Sequence, residues 1–336
     1  MAEKWFFVLI TILNLLPVVS GKFFPTLDGA AHLYNSQLII SLLTDDNEIL
    51  KSFFAFNQEP VPNWTGHLAL ALLNSVLPAF VAEKILLLSL LIALPLSFRS
   101  LIKLFSPGNQ LLSYLVFPFT YSFIFFLGFY NFLIAVVLML ITLGYWIRFA
   151  NHVFTKKQLI TLFLLIILTY FSHIFIFGIL VCLMAMYTFT TTLVQITERT
   201  GEALILLRGL FRKIGVLFLL SLIPLILFIY YFYSRPDTGD NVFLSREQLF
   251  EWIRIIRPVI ALNIPAEEQY VKKLFYLILG LTAIVCCARI NEMLPKNEPG
   301  SSSRPKLLVS KLIITSDFWL LASALMLFLY FVLPDS

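Results

Sequence analysis

The stretch that decides how this chain folds is GHLALALLNSVLPAFVAEKILLLSLLIALPLSFRS, residues 66–100. It reads either as two membrane crossings or as one crossing preceded by a helix lying in the outer interface, and charge chooses between them. With 66–77 at the surface and 80–98 as a span, Arg99 and Lys103, Arg148 with Lys156 and Lys157, and the run from Arg199 to Lys213 all fall on the cytoplasmic side. That is where short loops collect their Lys and Arg. A second crossing at 66–77 would put the same clusters outside.

Working outward from that choice, apolar runs of near-spanning length place crossings at about 4–20, 80–98, 110–127, 130–147, 158–170, 174–191, 214–233, 272–288 and 312–332. The expected architecture is all-α: a polytopic transmembrane bundle of about nine spans with the N-terminus cytoplasmic. Outer loops cover 21–79 and 234–270, each with amphipathic interfacial helices. Cytoplasmic connectors cover 99–109, 148–157, 192–213 and 289–311, all within a single transmembrane domain. The tract KNEPGSSSRPK, 296–306, reads as a flexible part of the last connector. The chain stops at FVLPDS, a few residues past the ninth span, as a truncated chain or a compact protein would.

Composition supports this class and removes others. With 60% hydrophobic and 13% charged residues and a mean hydropathy of +0.90, the chain is no ordinary soluble domain, and continuous apolar runs are not the alternation of an outer-membrane barrel. The net charge of +5 follows from basic cytoplasmic loops, so membrane lipids are expected partners and nucleic acid is not. Cys182, Cys286 and Cys287 lie in apolar segments without metal-site or disulfide spacing. Lys4 ahead of an apolar run ending in VVSG also fits a signal peptide; cleaved or retained, it leaves residue 21 outside, and the missing Ala-x-Ala site favours retention. The expected location is the cell (inner) membrane, multi-pass.

Candidate chemistry concentrates just beyond the first span, in PTLDGAAHLYNSQLI, residues 25–39. Leu27, Ala31, Tyr34, Leu38 and Leu42 make one apolar helical stripe, and Asp28, His32 and Asn35 make the adjacent one at i, i+4 and i+7. Asp28 also suits an N-cap, spending its carboxylate on backbone amides. A carboxylate in a partly dehydrated interface, beside a His and an Asn, is otherwise a candidate general base. Other outward-facing candidates are His67, beside the interfacial Trp64; Tyr130 and Asn131 at the tip of FFLGFYNFLI (125–134), where plain turn chemistry is the alternative; and His173 in YFSHIF. In SREQLFEWIRIIRP, Ser245 and Gln248 form a capping box, Pro258 ends the helix, and Arg254 and Arg257 share the polar face. There they grip a lipid phosphate, or Arg254 pairs with Glu251 one turn back. Asp28, His32, His67 and His173 are also ligand types for a divalent metal, but no second motif supports one, so no metal or other cofactor is assigned and a divalent cation stays open.

A first span with its N-terminus inside, an acidic residue a few positions past its outer end, a large first outer loop with two amphipathic helices, and then AEKILLLSLLIALPLSFRSLIKLF (82–105) together resemble the GT-C superfamily of integral-membrane glycosyltransferases. The resemblance covers mainly residues 1–105. It implies a GT-C-like bundle that moves a sugar, with inversion, from a polyprenyl-phosphate carrier to a glycan, lipid or protein acceptor on the extracytoplasmic face. Asp28 then corresponds to the first-loop acid that acts as general base, with His32 beside it; Asn35, His67, Tyr130, Asn131 and His173 line the substrate cavity, and Arg254 with Arg257 clamp the donor phosphate. The chain departs from the family in carrying one Asp in LDGA where many members have an acidic pair, and nine expected spans where many have eleven or more. The alternative function is a transporter or flippase of a lipid-linked or glycan precursor. Against it, the expected spans hold few ionisable residues, and no internal repeat or matched pair of broken helices appears.

Overall fold

A computed structural model describes residues 2–45, 47–150, 152–234, 244–259, 264–293 and 318–332. Among these residues every regular element is a helix and no strand occurs. Five helices among the described residues are long and apolar enough to cross a membrane: Ala2–Ser20, Ala79–Phe105, Tyr130–Phe149, Ile174–Thr197 and Ala203–Ser234. The chain divides into two compact units, Met1–Cys182 with Leu217–Pro236, and Leu183–Val216 with Asp237–Ser336.

The first unit contains α1 (Ala2–Leu13), α2 (Leu16–Ser20), α3 (Gly29–Thr44), α4 (Glu48–Phe53), α5 (Thr65–Asn74), α6 (Ala79–Phe105), α7 (Phe123–Leu127), α8 (Tyr130–Phe149) and α9 (Lys156–Ser172). It also takes in the start of α10 (Ile174–Glu198) and the end of α11 (Ala203–Ser234). The stretch 66–100 resolves into two helices. α5 has ten residues, about 15 Å of helix, half the thickness of the hydrocarbon layer; Ser75–Pro78 turns the chain, and α6 has 27 residues. Val18, Leu70, Leu86, Leu87, Leu90, Phe125, Tyr130 and Leu133 form the core that joins α2, α5, α6, α7 and α8.

Two stretches carry local structure that the sequence pattern does not specify. The stretch 110–127, expected as one span, is a ten-residue 3-10 helix, Gln110–Phe119, followed by a turn and the five-residue α7. Pro118 removes a backbone donor, the Thr120 hydroxyl bonds the Phe117 carbonyl at 2.7 Å, and Ser122 caps α7 through the Phe125 amide at 3.3 Å. Because a 3-10 helix rises about 2.0 Å per residue against about 1.5 Å for an α-helix, the two pieces still cover roughly 28 Å. At one end Arg99 binds Glu3 with both nitrogens, at 2.7 and 2.6 Å, and also Ser113 at 3.0 Å and Gln110 at 2.9 Å. At the other end the Leu127 carbonyl accepts from the Asp28 amide at 3.0 Å. The second is 192–213, expected as a cytoplasmic connector, whose ends are helical: α10 runs on to Glu198 and α11 begins at Ala203. No Gly or Pro interrupts 192–198, and the Thr191 and Thr192 hydroxyls bond the carbonyls of Tyr187 and Thr188 at 2.7 and 2.8 Å.

In the second unit α12 (Arg246–Arg254) starts at the expected capping box, Ser245 with Gln248, and reaches its C-cap at Ile255, before Pro258. Ile256 then takes a left-handed φ of 43°. α13 (Ile264–Met293) and α14 (Phe318–Val332) follow. The Tyr330 hydroxyl bonds the Leu249 carbonyl at 2.9 Å, and the Phe250 and Phe331 rings lie 5.0 Å apart, docking α12 on α14. The expected tract 296–306 and the terminal PDS lie outside the described residues.

Candidate active site

The site is built where the chain enters α3. Leu27 and Asp28 donate their amides to the Phe126 and Leu127 carbonyls at 2.9 and 3.0 Å, and Gly128, at a φ of 80°, lets the turn between α7 and α8 come this close. A Cβ at Gly128 would stand 3.0 Å from the Thr26 hydroxyl and 3.2 Å from the Asp28 amide. Asp28 occupies the N-cap position of α3, but its carboxylate makes no hydrogen bond to the first turn. Its φ of −96° and ψ of 0° are not the extended backbone that aims a capping side chain at the amides.

The carboxylate lines a cavity of about 290 Å³ shared with His32, Asn63, His67, Phe129, Tyr130, Asn131, Phe132 and His173. Three of the four histidines in the chain thus converge with Asp28. The Nδ1 atoms of His32 and His67 are 3.5 Å apart, their ring centroids lie 4.8 Å apart, and His32 packs on Tyr130 at 5.0 Å. Burial, with His32 beside it, lowers His67 from 6.5 to about 4. Burial also lowers His32, against the pull of the Asp28 carboxylate and the Gly128 carbonyl. Both rings are therefore neutral at pH 7, each with one N–H donor and one acceptor nitrogen. His173 sets its ring edge-on to Phe132 at 5.0 Å, and its Nδ1 is buried with no hydrogen-bond partner among the described residues.

Tyr130 and Asn131 line the cavity with their polar ends engaged elsewhere. The Tyr130 hydroxyl donates to Glu83 Oε1 at 2.6 Å and lies 2.8 Å from the Thr26 hydroxyl. Asn131 accepts from the Gly66 amide at 2.6 Å and donates to the Asn63 carbonyl at 2.8 Å, fixing the start of α5. Glu83 and Thr26 were not among the expected site residues. An acid four residues into an apolar run is the signal that points to Glu83, because ionisable groups in such segments need a partner.

Asn35, one turn beyond His32, faces a different hollow. This groove, about 420 Å³, lies between α3, the segment 54–64 and α5, with Asn35, Leu38, Leu42, Phe54, Phe56, Asn57 and Trp64 in its walls; Asn63 and His67 belong to both hollows. A third, apolar groove of about 700 Å³ runs past Val61, Trp64, Leu68, Leu72, Leu168 and Phe171, between α5 and α9.

Arg254 and Arg257 belong to the second unit. Arg254 forms a 2.6 Å ion pair with Glu251, which Lys272 also approaches at 3.3 Å, and Arg257 feels the charge of Glu267. Among the described residues no group of three or more His, Cys, Asp or Glu side chains is placed to hold a metal ion. No known family model matches this chain, and no curated protein or solved structure matches it either.

Proposed function

We propose that this chain is a membrane glycosyltransferase of the GT-C type, using a lipid-phosphate-linked sugar. The observation that carries the reading is a half-buried carboxylate that its own helix leaves unused, facing a cavity with three histidines. An acceptor hydroxyl there gives its proton to Asp28 as its oxygen attacks the anomeric carbon. The bond from that carbon to the phosphate oxygen breaks on the opposite face, so configuration inverts and the lipid phosphate leaves. The His32–His67 contact uses the single N–H of one ring, so the other ring of that pair and His173 are the neutral imidazoles left to donate to the developing charge, and the apolar groove between α5 and α9 offers room for a hydrocarbon chain. In this reading the chain crosses the cell membrane about nine times, its N-terminus is cytoplasmic and Asp28 lies on the outer side.

The test uses purified protein and a panel of radiolabelled polyprenyl-phosphate sugars. Asp28→Asn keeps the shape and loses the base, and transfer is expected to fall by roughly 10²–10⁴-fold. Transfer by the variant at the wild-type rate would end the assignment.

A further inference from the structure

We propose that the groove between α3, the segment 54–64 and α5 is a binding site for an uncharged saccharide, which serves as the sugar acceptor. The name acceptor rests on the transferase reading; the ligand class rests on the groove itself. Its polar side chains are the amides of Asn35, Asn57 and Asn63 and the imidazole of His67, which titrates at about 4. Among the described residues no wall side chain carries a full charge at pH 7. An ionised ligand would lose part of its water there with no opposite charge among these walls to replace it, whereas an amide both donates and accepts and so matches a hydroxyl. The rings of Phe54, Phe56 and Trp64 add flat apolar faces suited to the C–H face of a pyranose. At about 420 Å³ the groove falls within the roughly 300–1,000 Å³ of small-ligand sites.

Two further observations connect the groove to chemistry. The side chains of Asn35 and Asn63 make no hydrogen bond within the described residues, so their amide groups are available to a ligand. Asn63 sits in the left-handed region at a φ of 69°, held there by Asn131 on its carbonyl at 2.8 Å and by the bond from the next amide, Trp64, to the Phe171 carbonyl at 2.9 Å. Such a conformation persists only when its surroundings fix it. Here it sets Asn63 at the junction of the two hollows, beside His67, so that an occupant of the groove can extend one hydroxyl toward Asp28. A lipid chain has the apolar groove beyond Trp64 as the better host, with its walls of Leu68, Leu72, Leu168 and Phe171.

The experiment measures binding without any donor, on the full chain in nanodiscs, by fluorescence anisotropy. The probes are 2-aminobenzamide-labelled trisaccharides of glucose, mannose, galactose and rhamnose, a triglucuronate as the anionic counterpart, and a labelled hexapeptide. At least one neutral trisaccharide is expected to bind, the triglucuronate and the peptide at least tenfold more weakly, and Asn35→Leu and Trp64→Leu are expected to weaken the neutral probe at least tenfold. Asn35 is exposed and makes no internal bond, so Asn35→Leu decides if Trp64→Leu does not fold. The proposal is overturned if no neutral trisaccharide binds, if the anionic or peptide probe binds as tightly, or if Asn35→Leu leaves affinity unchanged. The two readings fail separately. Asp28-dependent transfer without saccharide binding removes the groove assignment alone, while saccharide binding with Asp28-independent transfer removes the transferase and leaves a saccharide site.

Discussion

Gly29 follows Asp28 because nothing larger fits. A Cβ there would stand 2.3 Å from Glu83 Oε1 and from the Thr26 hydroxyl, and 2.8 Å from the Tyr130 hydroxyl. Alanine favours a helix over glycine by about 1 kcal/mol, but the clash dominates, since Glu83 and Thr26 are both committed to Tyr130. Gly29→Ala is expected to destabilise the protein by about 1–3 kcal/mol, read by denaturant unfolding; an unchanged midpoint would mean that the Thr26, Tyr130 and Glu83 cluster moves aside freely. The histidines make a second prediction. An unfolded chain titrates His67 near 6.5 and the folded chain at about 4, so between those values the unfolded state holds more protons. The stabilising contribution is complete above pH 6.5 and is lost as the pH falls toward 4. The melting temperature is expected to drop on acidification through that window, and His67→Gln to flatten part of the slope; identical slopes would count against burial as the reason the ring stays neutral. Asp28, His32, His67 and His173, which line one cavity, were legible as a group in the sequence because ionisable residues stand out in so apolar a chain. What Tyr130 and Asn131 do was not legible: their partners Glu83 and Gly66 lie 47 and 65 positions away, and only the packing of α8 on α5 and α6 brings them into reach.

The division of 66–100 into a short α5 and a long α6 could be read in advance, because a second crossing at 66–77 would have reversed the side of every later basic cluster. The interior of 110–127 could not. An α-helix and a 3-10 helix draw on the same apolar residues, and the choice here depends on Pro118 together with fixed attachments at both ends, Arg99 at one and Asp28 at the other. Arg99 is the firmer of these attachments, since it ties α1, α6 and the 3-10 helix through Glu3, Ser113 and Gln110 and lies 4.3 Å over the Phe7 ring. Removing either member of the ion pair leaves the other charge unsatisfied, but the two losses differ. After Glu3→Gln the guanidinium still has Ser113 and Gln110, whereas Arg99→Leu strips all three acceptors together. Arg99→Leu is therefore expected to lower the melting temperature in detergent more than Glu3→Gln does; the reverse order would place the anchor in the carboxylate.

At the scale of the whole chain, sidedness gives the proposed chemistry its meaning. Lipid-linked donors present their sugars on one face of a membrane, so Asp28 and the basic segment near Gly108 must lie on opposite faces for the transferase reading to hold. The two ends of 110–127 are about 28 Å apart if its 3-10 and α pieces are laid end to end, close to the roughly 30 Å of hydrocarbon, so the break in this segment does not prevent it from crossing. Fold-scale sequence reading rested on charge, which senses the side of each loop but is blind to helix type, so a 3-10 helix in 110–127 does not bear on the expected orientation. The test replaces Cys182, Cys286 and Cys287 with Ser and introduces single cysteines at Asn57 and at Gly108, each on an exposed part of the first unit. In intact cells a membrane-impermeant maleimide is expected to label position 57 and to spare position 108 until the membrane is permeabilised. Labelling of 108 from outside with protection of 57 would invert the chain, carry Asp28 to the cytoplasmic face, and leave its cavity on the side of soluble nucleotide-sugars instead of the lipid-linked donor proposed for it.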